Sequence, residues 1–277
     1  MAYVIFNHQL VAEKEVAISS QDRGFRYGDA IFDTLIIKTG RIYQLEWHLS
    51  RINRGLEALR INFDIASLPA LCRQLLEAND FSDGLLRIQI TRGVGGRGYL
   101  PDYSAKPTLI IETISQPSID RTPVTLWKSS YEKIHSAALP VRFKLAQGLN
   151  STLSRMEAVE NACFDAILLN NNGEICETSS ANIFWLKNEA LYTPSLACGI
   201  LEGSIRSAII RLWNGKLYEV EEKLETLATA DAVFITNVAH KALAVSGLMP
   251  AGLKWKSTEL AEKMLDLLEN DINNLSK

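Results

Sequence analysis

Cysteine is scarce in this 277-residue chain: Cys72, Cys163, Cys176 and Cys198 lie far apart, with no CxxC pair and only four histidines in the whole sequence. That pattern excludes a disulfide framework and a structural zinc site. The four read as reduced, mostly buried thiols of a cytoplasmic protein. Excess charge is equally small. With 29 Lys+Arg against 32 Asp+Glu, the formal net charge of -3 leaves no basic footprint for nucleic acid. No apolar run approaches a membrane span. The opening MAYVIFNHQLVAEKE has neither the basic start nor the long apolar stretch of a signal peptide. Internal repeats and low-complexity tracts are missing too. What is present is an ordinary globular composition, 47% hydrophobic and 22% charged, in a chain long enough for two modest domains.

Periodicity divides the chain into strands and helices. Val4–Phe6 and Ala30–Lys38 read as strands, with Asn7-His8 and Thr39-Gly40 as turns. Leu45, Leu49, Ile52, Leu56 and Leu59 have the three-to-four spacing of an amphipathic helix, and Leu68–Ala78 continues the helical pattern. Leu85–Thr91 and Thr108–Thr113 read as strands around a glycine-rich loop from Gly93 to Gly98. Pro117 and Pro123, with polar residues between them, mark an interdomain linker over 117–123, which separates a domain at 1–116 from one at 124–277.

In the second half Val124–Lys128 is a strand, followed by an extended approach to Lys144 and a helix with Leu153, Met156, Val159 and Ala162 on one face. Ala166–Leu169 and Glu174–Glu177 read as strands joined by a tight turn at Asn170–Gly173. Asn182–Leu186 and Ala190–Tyr192 form a further hairpin. A helix over Ser204–Trp213 buries Ile205, Ile209 and Leu212, Val233–Thr236 is a short buried strand, and Glu259–Leu275 is a C-terminal amphipathic helix. Strands and helices mixed in both halves indicate an α/β or α+β fold in two domains.

Five stretches, in order and at fitting intervals, carry a resemblance: DRGFRYGDAIFDT (Asp22–Thr34), HLSRI (His48–Ile52), a lysine upstream of MEA (Met156–Ala158), ETSSANIF (Glu177–Phe184) and GILEGSIR (Gly199–Arg206). Together they resemble the fold-type IV pyridoxal-phosphate enzymes, which have a two-domain D-amino-acid aminotransferase-like fold. Branched-chain aminotransferases, D-amino-acid aminotransferases and aminodeoxychorismate lyases are members. The resemblance implies pyridoxal 5'-phosphate as cofactor, a small-molecule amino substrate, and a homodimer with each site between the two domains.

The cofactor needs a lysine amine for a Schiff base and an acid beside its ring nitrogen. Counting back from Phe164 by the family's interval makes Lys144 that lysine, with Lys133 and Lys128 too far upstream. The resemblance makes Glu177 the carboxylate facing the ring nitrogen. It also implies Arg51 as the phosphate arginine and Leu201 as the residue packed on the ring. Gly203-Ser204-Ile205 opens a helix, whose free amides and dipole suit the phosphate dianion, so Ser204 and Ile205 are candidates for it. Many members read Gly-Ile-Thr-Arg where this chain reads Gly-Ser-Ile-Arg, which moves the hydroxyl by one position. Asn237 and Val238 match the family's second phosphate loop.

Substrate-facing positions separate the subgroups. Arg92–Tyr99 (RGVGGRGY) resembles the RGxGGRGY segment of the lyases, and arginine forks there suit a substrate with two carboxylates. Arg92, Arg97 and Tyr99 are therefore candidate substrate residues. Phe32, Thr34 and Ile36 share one strand face, and Thr34 aligns with a threonine that the lyases place near the substrate. The branched-chain enzymes carry a tyrosine where this chain has Leu149, although TSSAN fits the D-amino-acid enzymes at least as well. The reading is 4-amino-4-deoxychorismate lyase, serving folate synthesis. An aminotransferase for branched-chain L-amino acids or D-amino acids is the alternative, and a non-catalytic binding protein the remote one.

Overall fold

The structure, a computed structural model, describes residues 2–274. It divides into two units. The first is built mainly from Met1–Pro117 and Phe143–Gln147, the second from Ser118–Arg142 and Gly148–Ile272.

In the first unit the alternating segments close into a six-stranded antiparallel sheet. Its strands are β1 (Tyr3–Phe6), β2 (Gln9–Ala12), β3 (Ala30–Lys38), β4 (Arg41–Ile42), β5 (Gly84–Thr91) and β6 (Thr108–Ile114), in the order β2-β1-β6-β5-β3-β4. One short helix, α1 (Arg23–Tyr27), precedes β3 and is capped by Asp22, whose carboxylate accepts from Gly24 N. Two longer helices, α2 (Leu45–Leu59) and α3 (Leu68–Ala78), follow the expected periodicity. Ile31, Leu35 and Ile37 from β3 meet Leu49, Ile52 and Leu56 from α2 and Leu68, Leu71 and Leu75 from α3 in one core. Each such fully buried side chain stabilises the fold by about 2 kcal/mol. Strand alternation sends Phe32 and Thr34 to the opposite, half-buried face.

The second unit is a mixed nine-stranded sheet. Its strands are β7 (Val124–Lys128), β8 (Asp165–Leu169), β9 (Ile175–Thr178), β10 (Asn182–Lys187), β11 (Ala190–Pro194), β12 (Leu217–Val220), β13 (Ala232–Asn237), β14 (Lys241–Met249) and β15 (Leu253–Lys254). The order is β12-β11-β10-β13-β14-β7-β8-β9, with β15 paired to β14. Pairing is parallel at β11/β12, β14/β7 and β7/β8. Three helices belong to this part of the chain: α4 (Leu149–Glu160), α5 (Ser204–Leu212) and α6 (Glu259–Asn274). Leu275, the expected last residue of α6, lies outside the described residues. Ile183, Trp185, Val233, Ile235, Leu243 and Val245 fill the core.

Two expectations need correction. On α4 the buried residues are Ser154 and Ala158, while Leu149, Met156 and Val159 are exposed. Ser154 tolerates burial because its hydroxyl donates to Asn150 O at 2.9 Å and accepts from Ser129 Oγ at 3.1 Å. The second concerns the approach to Lys144. Phe143–Gln147 groups with the first unit, because its main chain pairs with β3. Phe32 N donates to Lys144 O and Ala146 N to Ala30 O, both at 2.9 Å.

Candidate active site

On β3 an acidic residue interrupts the inward apolar row, and α2 supplies its partners. Asp33 accepts from Arg51 Nε at 3.0 Å and Arg51 Nη2 at 2.5 Å, and His48 Nδ1 lies 3.0 Å from its Oδ1. All three side chains are buried. Burial alone raises the Asp33 pKa, but the Arg51 and His48 charges and hydrogen bonds overcome it and hold the carboxyl well below the usual range. Phe32, Asp33, Arg51 and Lys144 line one small pocket, and Lys144 Nζ lies 4.5 Å from the centre of the Phe32 ring. Main-chain pairing with β3 thus places the expected lysine and the expected phosphate arginine around the same pocket.

In the second unit Glu177 sits in β9 and is buried. Its Oε2 accepts from Asn182 Nδ2 at 3.0 Å and from Leu201 N at 3.1 Å, and Lys133 Nζ lies 2.5 Å from Oε1. Leu201 therefore reaches this site through its main chain. Its carbonyl also accepts from Asn182 Nδ2 at 3.0 Å. Gly203 follows, and a Cβ there would lie 2.1 Å from Asn182 Oδ1, so only glycine allows this approach. Helix α5 then starts at Ser204 with no side-chain cap, and Ser204 and Ile205 are buried. Its first-turn amides have no intrahelical partners.

Behind Glu177 the turn Thr178-Ser179-Ser180 is fixed by one acid. Asp165, fully buried, accepts from Thr178 Oγ1 at 2.8 Å, from Ser180 Oγ at 2.7 Å and from Ser179 Oγ. Asn237 ties this turn to the end of β13, since Nδ2 donates to Ser180 O at 3.1 Å. Its Oδ1 accepts from Ala239 N and His240 N, shaping the turn that carries Val238. Nearby in sequence, Thr236 Oγ1 and both ring nitrogens of His240 are buried without hydrogen-bond partners among the described residues. Burial pushes His240 down to about 4, with Arg121 and Arg155 assisting and Asp165 opposing.

Positive φ values and close backbone approaches shape the glycine-rich segment. Gly96 has φ +85°, and a Cβ there would lie 2.2 Å from Leu100 O. Arg92 turns inward rather than projecting from it. Its guanidinium donates to both Asp29 oxygens at 2.7 and 2.9 Å and to the Leu59 and Arg60 carbonyls at the end of α2. Arg23 Nε joins the same Asp29 at 3.0 Å. Burial raises the Asp29 pKa, but Arg92 and Arg23 outweigh it and the net shift is downward. Arg97 and Tyr99 are exposed. Thr34, half-buried, pairs with Arg87 across β3 and β5, and the Arg87 guanidinium lies 4.3 Å from the Phe32 ring centre.

Sequence reasoning passes over Asp33, Arg87, Asp165 and Asn182 as site residues and weighs Lys133 only for the Schiff base. Asp33 had a signal, an acid on the apolar face of a strand. Lys133 had none, because it lies in an irregular stretch and its place depends on Lys133 N donating to Leu169 O at 2.8 Å.

The residues fit a cofactor with an anionic end and a basic ring nitrogen. Glu177 offers a buried carboxylate, α5 an uncapped start, and Thr236 an unpartnered buried hydroxyl. Two such sheets with this helix start and this carboxylate define a fold-type IV architecture. The chain belongs to the family described as Amino-transferase class IV, whose profile matches residues 30–248. It is 28% identical over 285 residues to an aminodeoxychorismate lyase of Bacillus subtilis, covering 99% of this chain and 96% of that protein. A putative branched-chain-amino-acid aminotransferase of Methanocaldococcus jannaschii is 29% identical over 248 residues, 87% of this chain and 86% of the relative. The crystal structure of 4-amino-4-deoxychorismate lyase from Pseudomonas aeruginosa superposes with a TM-score of 0.84 at 27% identity, covering 97% of this chain and 98% of that one.

Proposed function

We propose that the protein is a pyridoxal-phosphate-dependent 4-amino-4-deoxychorismate lyase, which releases 4-aminobenzoate and pyruvate for folate synthesis and works in the cytoplasm as a homodimer. The observation that carries the choice of lyase is the RGVGGRGY turn, which keeps Arg97 and Tyr99 at the surface while Arg92 braces it from behind. Likeness to the Bacillus subtilis lyase over nearly the whole length of both chains supports it.

Lys144 supplies the amine that ties the cofactor and then serves as the base that takes the proton from the substrate's amine-bearing ring carbon. Glu177 accepts the hydrogen bond of the ring nitrogen, and Leu201 flanks the ring. Arg51, the amides of Ser204 and Ile205, and the turn at Asn237 and Val238 hold the phosphate. Arg97 and Tyr99 receive a substrate carboxylate, and Thr34 faces the substrate from β3. When bound, pyridoxal phosphate supplies an electron sink for the carbanion left by that proton. The ring C–O bond to the enolpyruvyl group breaks with its electrons leaving on the oxygen, the proton held by Lys144 goes to that group's methylene carbon to give pyruvate, and aromatisation of the ring drives the reaction forward.

Borohydride reduction followed by peptide mass analysis tests the anchor: cofactor mass on Lys144 supports this reading, and mass on Lys133 refutes it. Supplied with 4-amino-4-deoxychorismate, the protein should release 4-aminobenzoate and pyruvate in equal amounts. Fast conversion of the cofactor to its amine form by L-leucine or D-alanine, without 4-aminobenzoate release, would instead make it an aminotransferase. The match to the Methanocaldococcus jannaschii relative favours that second reading.

A further inference from the structure

We infer that Lys133 acts through Glu177 as a positioning residue that keeps the shared proton on the cofactor's ring nitrogen. The inference rests on the reading that Glu177 faces that nitrogen. Lys133 is anchored by its own main chain, which donates to Leu169 O at 2.8 Å, and its side chain is largely buried. Each carboxylate oxygen has room for about two donors. Oε2 already accepts from Asn182 Nδ2 and Leu201 N, whereas Oε1 accepts from Lys133 Nζ at 2.5 Å. The ring nitrogen is therefore left to share Oε1 with Lys133.

A carboxylate bonded to a pyridine-type nitrogen can leave the proton on either partner. On Oε1 the proton sits directly beside the Lys133 ammonium. On the ring nitrogen it lies farther from that charge, and the carboxylate keeps its negative charge against the ammonium. Both differences favour the nitrogen. Lys133 thereby deepens the electron sink without touching cofactor or substrate.

The test loads wild type, Lys133→Met, Lys133→Gln and Lys133→Arg with cofactor carrying 15N in the ring and records the 15N shift against pH. Wild type and Lys133→Arg are expected to hold the protonated shift through neutral pH. Lys133→Met should move the neutral-pH 15N shift towards that of an unprotonated ring nitrogen, because the shared proton goes over to Oε1, with kcat reduced about tenfold and KM little changed. Lys133→Gln keeps a donor but no charge and should follow Lys133→Met. It also covers the case in which the methionine variant fails to fold. Wild-type shifts in both neutral variants would overturn the inference and leave Lys133 a structural ion pair. If the wild type forms no lysine-linked visible band, the reading of the whole site fails, and the inference falls with it.

Discussion

Replacing His240 with leucine is expected to flatten the pH dependence of stability on the acid side of neutrality. The ring is buried, neither nitrogen has a partner among the described residues, and burial brings its pKa from 6.5 down to about 4. A base with a depressed folded pKa binds fewer protons folded than unfolded between those values. Its contribution is therefore fully present above the unfolded pKa and is lost as pH falls towards the folded one. From about pH 7.5 to about pH 5.5 the unfolded imidazole protonates almost completely and the folded one hardly at all, a loss of about 1.4 kcal/mol. Few carboxylates titrate in that window, and subtracting the variant's profile removes the other histidines.

The assay is urea unfolding at both pH values, followed by tryptophan fluorescence with Trp185 reporting the second core. The wild type should lose about 1.4 kcal/mol more than His240→Leu between the two pH values. At the higher pH the variant should be as stable or slightly better, because two unpartnered polar atoms leave the interior. Equal losses in the two proteins would refute the reasoning, since the folded ring would then accept a proton as readily as the unfolded one.

Asp33→Asn should destabilise the first unit by about 3 kcal/mol by stranding Arg51, with Asp33→Leu/Arg51→Met less harmful than either single change in thermal unfolding. The same carboxyl, depressed in the folded state, contributes stability above its ordinary pKa of 3.8 that disappears as pH falls further, so an acid titration of the melting temperature should be shallower in the double variant. Arg92→Ala should cost about 2 kcal/mol in a urea titration by uncovering Asp29 and two helix-end carbonyls, whereas Arg97→Ala should leave the midpoint unchanged and raise KM. Gly203→Ala must displace Asn182 and loosen Glu177, and should weaken cofactor affinity measured by absorbance titration while lowering stability by about 1–3 kcal/mol.

The elements most legible in the sequence were those whose periodicity decides their structure. Ala30–Lys38, Leu45–Leu59, Leu68–Ala78 and Val124–Lys128 have the expected bounds. Helix α4 departs from its apolar pattern because Ser154 has buried partners while Met156 and Val159 are exposed. Strand β14, with its alanines and glycine, carries little β-propensity and is held by neighbours on both sides. Arg92 shows a different limit. Its motif was plain, but whether its fork meets a ligand or a helix end depends on where Asp29 and Arg60 come to lie. Lys133 and Glu177 stand 44 positions apart in the chain, and no local pattern links them.

The hydrogen bonds that fasten Phe143–Gln147 to β3 belong to the main chain, and that shapes how this stretch can evolve. The bonds at Phe32 N and Ala146 N do not depend on side chains, although Leu145 also packs against the first core. A single inserted or deleted residue is another matter. It would shift the pairing by one step and turn the lysine to the opposite face of the strand. Descendants of this chain should accordingly keep the count of residues around Lys144 fixed even where the letters change.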